Sequence, residues 1–230
     1  DRYQRWISVV SPSALVELLS DPPPDVLESM ERSYDRVAHL PALDRILYAN
    51  FKTYLPDDLA VKMDRMSMAN SLEVRAPFTD YRLLEFAMQV PGNMKIRRGI
   101  TKWITRQALR NILPREVLEK KKMGFNPPLP QWINGELQPV IRQFLSPEAV
   151  ERRGLFRPEA VQTLLRQHAE NRRDNALKIW ALLMIEVWQR MYFDKQSEES
   201  VLEEAVGMAR RKPMVPAGPV AKKADVISIR

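Results

Sequence analysis

Residues 55–86 read LPDDLAVKMDRMSMANSLEVRAPFTDYRLLEF, and residues 101–130 read TKWITRQALRNILPREVLEKKKMGFNPPLP. The first stretch predicts a helix over 57–71. It is half apolar without one clean stripe, so it reads as a core helix covered on several sides. Its methionines, Met63, Met66 and Met68, read as packing rather than a cofactor box. Asp64–Arg65 and Glu73–Arg75 read as buried ion pairs. Pro77 drives the residue before it out of helix, so 72–78 is extended or a loop. Thr79 or Asp80 then caps a helix with Leu83, Leu84, Phe86 and Ala87 facing inward. Ser67 and Ser71 read as caps in preference to substrate ligands. The second stretch predicts a short amphipathic helix with Lys102 in its first turn, closed by Pro114. A triple lysine, Met123-Gly124-Phe125 and a proline-rich exit follow. Lys102 and Lys122 stand twenty positions apart, each beside a backbone breaker, and can converge on a polyanion. Taken as an isolated run, Lys120-Lys121-Lys122 reads as a solvated face.

Outward from these stretches the pattern is helical. Ser11 or Ser13 caps a helix that Pro12 opens. Asp21-Pro22-Pro23-Pro24 is a stiff loop. Apolar residues recur at helical spacing over 26–38, and Pro41 opens a helix that Pro56 ends. Lys95 to Gly99 is a basic loop. Beyond Pro130, helices are predicted at 132–133, 137–145, 147–153 and 158–169. The last, 174–193, is a buried closing helix centred on Trp180, Leu183, Ile185 and Trp188. From residue 195 large apolar residues thin out, and 195–230 is predicted to be a disordered tail. The expected organisation is therefore one body over 1–194 followed by that tail.

Composition narrows the function classes. The chain has 36 basic and 29 acidic residues, a net charge of +7, which suits nucleotide, nucleic acid or membrane-surface partners. It has no cysteine, so disulfides and thiolate zinc sites are excluded. His39 and His168 are far apart and form no ligand pair. No apolar run is long enough to span a bilayer, and the start, DRYQRWISVV, has no signal-peptide order. Cytoplasm is the expected compartment. There is no Gly-rich phosphate loop, HExxH, EF-hand loop or GxSxG elbow.

The motifs are more specific than the patterns. The stretch 55–86, KWITRQAL at 102–109 and KKMGFNPPL at 121–129 closely resemble the C-terminal half of the synthetase domain of glutamine-dependent asparagine synthetases. The similarity runs in order from Tyr54 to Glu136 and more loosely through Trp188. One departure is Pro77-Phe78-Thr79-Asp80, where the family usually has PFLD. The resemblance implies that this mainly α chain is part of an α/β, HUP-like ATP-pyrophosphatase domain whose parallel strands are mostly missing here. It implies adenylation of the aspartate side-chain carboxylate with ATP and Mg²⁺, then attack by ammonia derived from glutamine. Displacement at the α-phosphorus builds negative charge that fixed ammonium groups stabilise. By the match, Lys122 is the catalytic lysine and Lys102 holds the pyrophosphate side. Gly124 lets the backbone turn close to the nucleotide. For Arg75 and Asp64, the ion-pair reading is favoured, and a direct role in placing aspartate is the alternative.

The family's Ser-Gly-Gly-x-Asp-Ser ATP loop, its acidic Mg²⁺-serving segment and its glutaminase domain are not in this sequence. No metal ligand is therefore expected in this chain. Its expected partners are ATP, aspartate, ammonia and the missing N-terminal glutaminase and ATP-loop region, and a homodimer stays open. Relatives amidate other carboxylates, so the acceptor is open too. Two rival readings stand beside the enzyme. One is a non-catalytic remnant or scaffold that needs a complementing half. The other is a basic helical nucleic-acid binder, disfavoured because the lysines do not interleave with aromatics along one helix.

Overall fold

The computed structural model describes residues 8–21, 28–121, 124 and 127–210. The described residues are mainly helical, with one two-stranded antiparallel hairpin. None of their helices is long and apolar enough to cross a membrane. Two compact units emerge. One joins Asp1–Pro23 to Phe125–Arg230, and the other is Pro24–Gly124.

The first unit holds a dense apolar core. Helix α1 (Pro12–Leu18) starts as its sequence dictates: the Ser11 hydroxyl accepts from the Ala14 N–H, and Pro12 occupies the first turn. An isolated bridge pairs Leu19 with Phe156. In the Pro24–Gly124 unit, α2 (Glu28–Asp35) packs on α3 (Ala42–Lys52). The Arg45 guanidinium lies 3.7 Å over the Tyr34 ring. Contrary to expectation, Pro56 does not end the helical course. It enters a π-helical turn, Leu55–Ala60, that runs into α4 (Val61–Met68). At the start of such a turn proline forfeits no hydrogen bond. A 3₁₀ turn (Pro77–Thr79), α5 (Tyr81–Gln89) and α6 (Gly92–Lys95) follow. Gly92 sits close to α3: a Cβ there would lie 3.1 Å from an Asp44 carboxylate oxygen and from Leu43 Cδ2. Lys95 pairs with Asp44 at 3.2 Å beside it.

The expected basic loop is a hairpin. Strands β1 (Ile96–Arg97) and β2 (Ile100–Thr101) pair Ile96 with Thr101 and Arg97 with Ile100. Arg98 and Gly99 have φ of 49° and 77°, the left-handed pair that a two-residue hairpin turn requires. Helices α7 (Trp103–Ala108) and α8 (Arg115–Glu119) complete this unit.

The remaining helices return to the first unit: α9 (Leu129–Asn134), α10 (Gln138–Phe144), α11 (Pro147–Arg153), α12 (Pro158–Ala169) and α13 (Ala176–Tyr192). Ser146 caps α11, and Gly154, with φ 71°, closes it. Helix α13 buries Ile179, Leu182, Leu183, Glu186 and Arg190, whereas Ile185 and Trp188 are exposed. Trp188 packs instead against Tyr192 and Phe193. The inward face thus carries an acid and a base among its aliphatics.

That pair organises a buried ionic network. Arg153 reaches Glu186 at 2.8 Å and Asp194 at 2.6 Å, and Arg190 reaches Glu186 at 2.8 Å and Glu204 at 2.9 Å. Arg190 also lies 3.7 Å over the Phe144 ring. Glu204 corrects the expected tail, because it belongs to α14 (Glu198–Arg210), a helix. Val201 is 4% exposed within the core, and Gln143 donates to Glu204 at 3.0 Å. One buried valine and an ion pair to a buried arginine suffice to dock a segment whose composition looks tail-like. Residues 211–230 lie outside the described residues.

Candidate functional site

Lys102, Asp64, Arg75 and Gly124 all belong to the Pro24–Gly124 unit. Lys102 follows directly on the hairpin. Contrary to the expectation that places it in the first helical turn, it stands just before that turn, in the left-handed conformation with φ 55° and ψ 35°. Its carbonyl accepts from the Arg106 N–H at 3.0 Å and so begins α7. A lysine in that conformation is uncommon and costs local strain. The neighbours fix the turn. The Arg106 side chain donates to the Thr101 carbonyl at 3.1 Å, and the Arg97 guanidinium lies 4.6 Å over the Trp103 ring. Lys102 is exposed, and its ammonium joins no ion pair among the described residues. An unneutralised cation on a constrained turn is chemically suited to an anion.

Asp64 lies on α4 and is exposed, and its backbone carbonyl accepts from the Ser67 hydroxyl at 3.1 Å. No ion pair joins it to Arg65, because consecutive helical residues do not face one another. Glu73 and Arg75 do pair, at 2.7 Å, but in the open: their side chains are 68% and 85% exposed. The expectation of two buried ion pairs therefore fails at both places. Ser67 and Ser71 cap no helix start; Ser71 takes a positive φ of 55° after α4. Asp80 does cap α5, accepting from the Arg82 N–H at 3.0 Å. The Arg82 guanidinium, together with that N–H, holds the Asp80 carboxyl below the usual carboxylate range.

Burial around these residues also departs from expectation. Met63, Met66 and Met68 are exposed, as are Leu83 and Phe86. Among the described residues of this unit, only Val37, Ala49 and Gly92 are buried. Periodicity identifies which residues are apolar. It does not say whether anything in the chain covers them. No hydrogen bond or ion pair joins any two of Asp64, Arg75 and Lys102. Lys122, Met123 and Phe125 lie outside the described residues, and Gly124 is exposed. Sequence reading missed the hairpin that sets Lys102, although Arg98-Gly99 between Ile-Arg and Ile-Thr carried its turn chemistry.

Comparison with known proteins adds the decisive observation. The asparagine synthase family matches residues 4–190. "Asparagine synthetase [glutamine-hydrolyzing] 1" of Bacillus subtilis is 31% identical over 154 residues, 67% of this chain and 24% of that protein. "Asparagine synthetase [glutamine-hydrolyzing] 3" of the same organism is 41% identical over 81 residues, 35% of this chain and 13% of that protein. "Asparagine synthetase [glutamine-hydrolyzing]" of Gallus gallus is 37% identical over 76 residues, 32% of this chain and 13% of that protein. No solved structure matches at a significant level. The chain spans about a quarter of the length of the first curated relatives it matches. A family match across 4–190 leaves one assignment: this chain belongs to the asparagine synthase family.

Proposed function

We propose that this chain supplies the C-terminal part of the site of an ATP-dependent, asparagine-synthetase-like amidotransferase, within a HUP-like synthetase domain. The reaction adenylates the aspartate side-chain carboxylate, and ammonia from glutamine then displaces AMP. The observation that carries the reading is the family match over 4–190. In this reading Lys122 stabilises the charge that develops at the α-phosphoryl group, and Lys102 neutralises the departing pyrophosphate. Gly124 lets the chain approach the nucleotide, and Arg75 and Asp64 orient the amino-acid substrate. The unpaired Lys102 ammonium fits a polyanion such as ATP. Mg²⁺ does not fit this chain's own residues: among those described, no group of three His, Asp or Glu side chains gathers to hold a metal ion. In this reading its ligands lie in another part of the protein.

Exposed apolar residues on the Pro24–Gly124 unit, with Phe78 70% and Met66 61% exposed, favour a complementing segment that covers them. The same observation supports a second reading, in which the chain is a non-catalytic scaffold for that segment. ATP–pyrophosphate exchange separates the two when the chain is combined with an ATP-loop segment from a relative. The enzyme reading expects aspartate-dependent exchange that falls at least a hundredfold, on the scale of losing one transition-state donor, in Lys122→Ala. Undiminished exchange in that variant refutes the lysine assignment, and absent exchange in the reconstituted wild type favours the scaffold.

A further inference from the structure

The unit formed by residues 1–23 and 125–230 contains a cavity of about 350 Å³ between α9, α10, α12 and α13. The candidate site uses none of it. Its floor is apolar, and Ile133, Ile141 and Ile179 there are each at most 4% exposed. Arg142 on α10 and Arg166 on α12 line it, and its wall carries no carboxylate side chain. Neither guanidinium joins an ion pair among the described residues. Two cations from different helices therefore share one cavity whose lining holds no carboxylate.

A second observation comes from His168, which also lines the cavity and is 4% exposed. Its Nδ1 accepts from the Asn175 N–H at 3.3 Å, and the Asp174 carboxylate stands 3.7 Å from the same atom. Accepting there places the ring proton on Nε2. That nitrogen is buried without a hydrogen-bond partner among the described residues. Most buried donors are satisfied, so an orphan nitrogen on a cavity-lining residue calls for an acceptor.

We propose that this cavity binds a small amphipathic anion, with an apolar body on the isoleucine floor and a carboxylate or phosphate head. The head meets Arg142 and Arg166 and supplies an acceptor to His168 Nε2–H. The space is adequate, since an apolar cavity of about 150 Å³ already holds benzene. Such a site uses none of the candidate site residues Asp64, Arg75, Lys102, Lys122 and Gly124 and gives the chain a ligand other than its amidation substrates.

The test titrates the full chain by calorimetry and by ¹⁵N NMR with 4-phenylbutyrate, phenyl phosphate and neutral 4-phenylbutyramide. The expected result is saturable binding of at least one anion, at least tenfold tighter than the amide, with a shift of the His168 Nε2 resonance. Whichever anion binds more tightly names the head group. Arg142→Ala/Arg166→Ala should weaken that binding at least tenfold, and Arg152→Ala, at an exposed position outside the cavity, should leave it unchanged. Both cavity arginines are exposed, so the double variant keeps its core, and its thermal melt checks that. Equal binding of amide and anion, or undiminished binding by the double variant, overturns the proposal. So does arginine-dependent binding that leaves the His168 resonance in place.

Discussion

Removing the Glu186 carboxylate should unfold the helical unit more readily than any surface charge change. Its side chain is 5% exposed and shared between Arg153 and Arg190, which are 12% and 8% exposed. Breaking a buried pair by deleting one partner costs about 3–5 kcal/mol, because an uncompensated charge stays behind. Each arginine keeps a second carboxylate, but Asp194 and Glu204 are 39% and 31% exposed and so more weakly coupled. The lower end of the range, about 3 kcal/mol, is therefore expected for Glu186→Ala. Urea unfolding followed by tryptophan fluorescence reads this directly, since Trp132, Trp180 and Trp188 lie in this unit. A triple variant with Arg153→Met, Glu186→Leu and Arg190→Met should recover most of the loss, because it removes the buried charges and leaves unpaired only the more exposed Asp194 and Glu204. A loss below about 1 kcal/mol for Glu186→Ala would place the network with ordinary exposed ion pairs and refute the reasoning.

The Arg153 guanidinium beside Asp194 holds that carboxyl below its usual range. A depressed carboxyl contributes stability above its unfolded pKa of about 3.9 and loses it as pH falls through the lower folded value. Acid unfolding should therefore show a component below that pH that Asp194→Asn abolishes. Burial, with Arg173 adding to it, lowers the Lys178 ammonium from the ordinary lysine range. Lys178 should accordingly be acylated ahead of the exposed lysines at mildly alkaline pH, as peptide mapping after limited labelling would reveal. Gly99→Ala meets no neighbour within 4 Å but retains a φ of 77°. It should weaken the hairpin by about 1 kcal/mol through backbone strain alone. Loss of the Ile96–Thr101 cross-strand contact by NMR is the measurement.

Local chemistry was the most legible layer of this sequence. Ser11-Pro12, Asp80 and Ser146-Pro147 with Gly154 mark helix ends where the structure has them. Helix 158–169 was legible at both ends, because Pro158 opens it and its apolar spacing is regular. What lay beyond local reading depends on distant partners. Arg153 and Glu186 meet across 33 positions, and Glu204 docks α14 through Arg190, so composition alone misjudged that helix. Pattern assigns the apolar residues of α4 and α5 to a core because it reports a face and not its cover. Of the candidate site, residue identities followed from motif resemblance. The left-handed turn at Lys102 followed only from the hairpin before it.

The bridge between Leu19 and Phe156 has a consequence for how the molecule is made. Ser20 donates to Leu155 and Arg157 to Leu18, so the segment around α1 finds its backbone partners 137 residues later, from 19 to 156. At about 5–20 residues per second of synthesis, that segment waits roughly 7–27 s before its partner exists. During the wait Leu18, which ends up 5% exposed, has no core to enter. The closing of this unit is thus timed by the ribosome, and the whole Pro24–Gly124 unit is synthesised inside that interval.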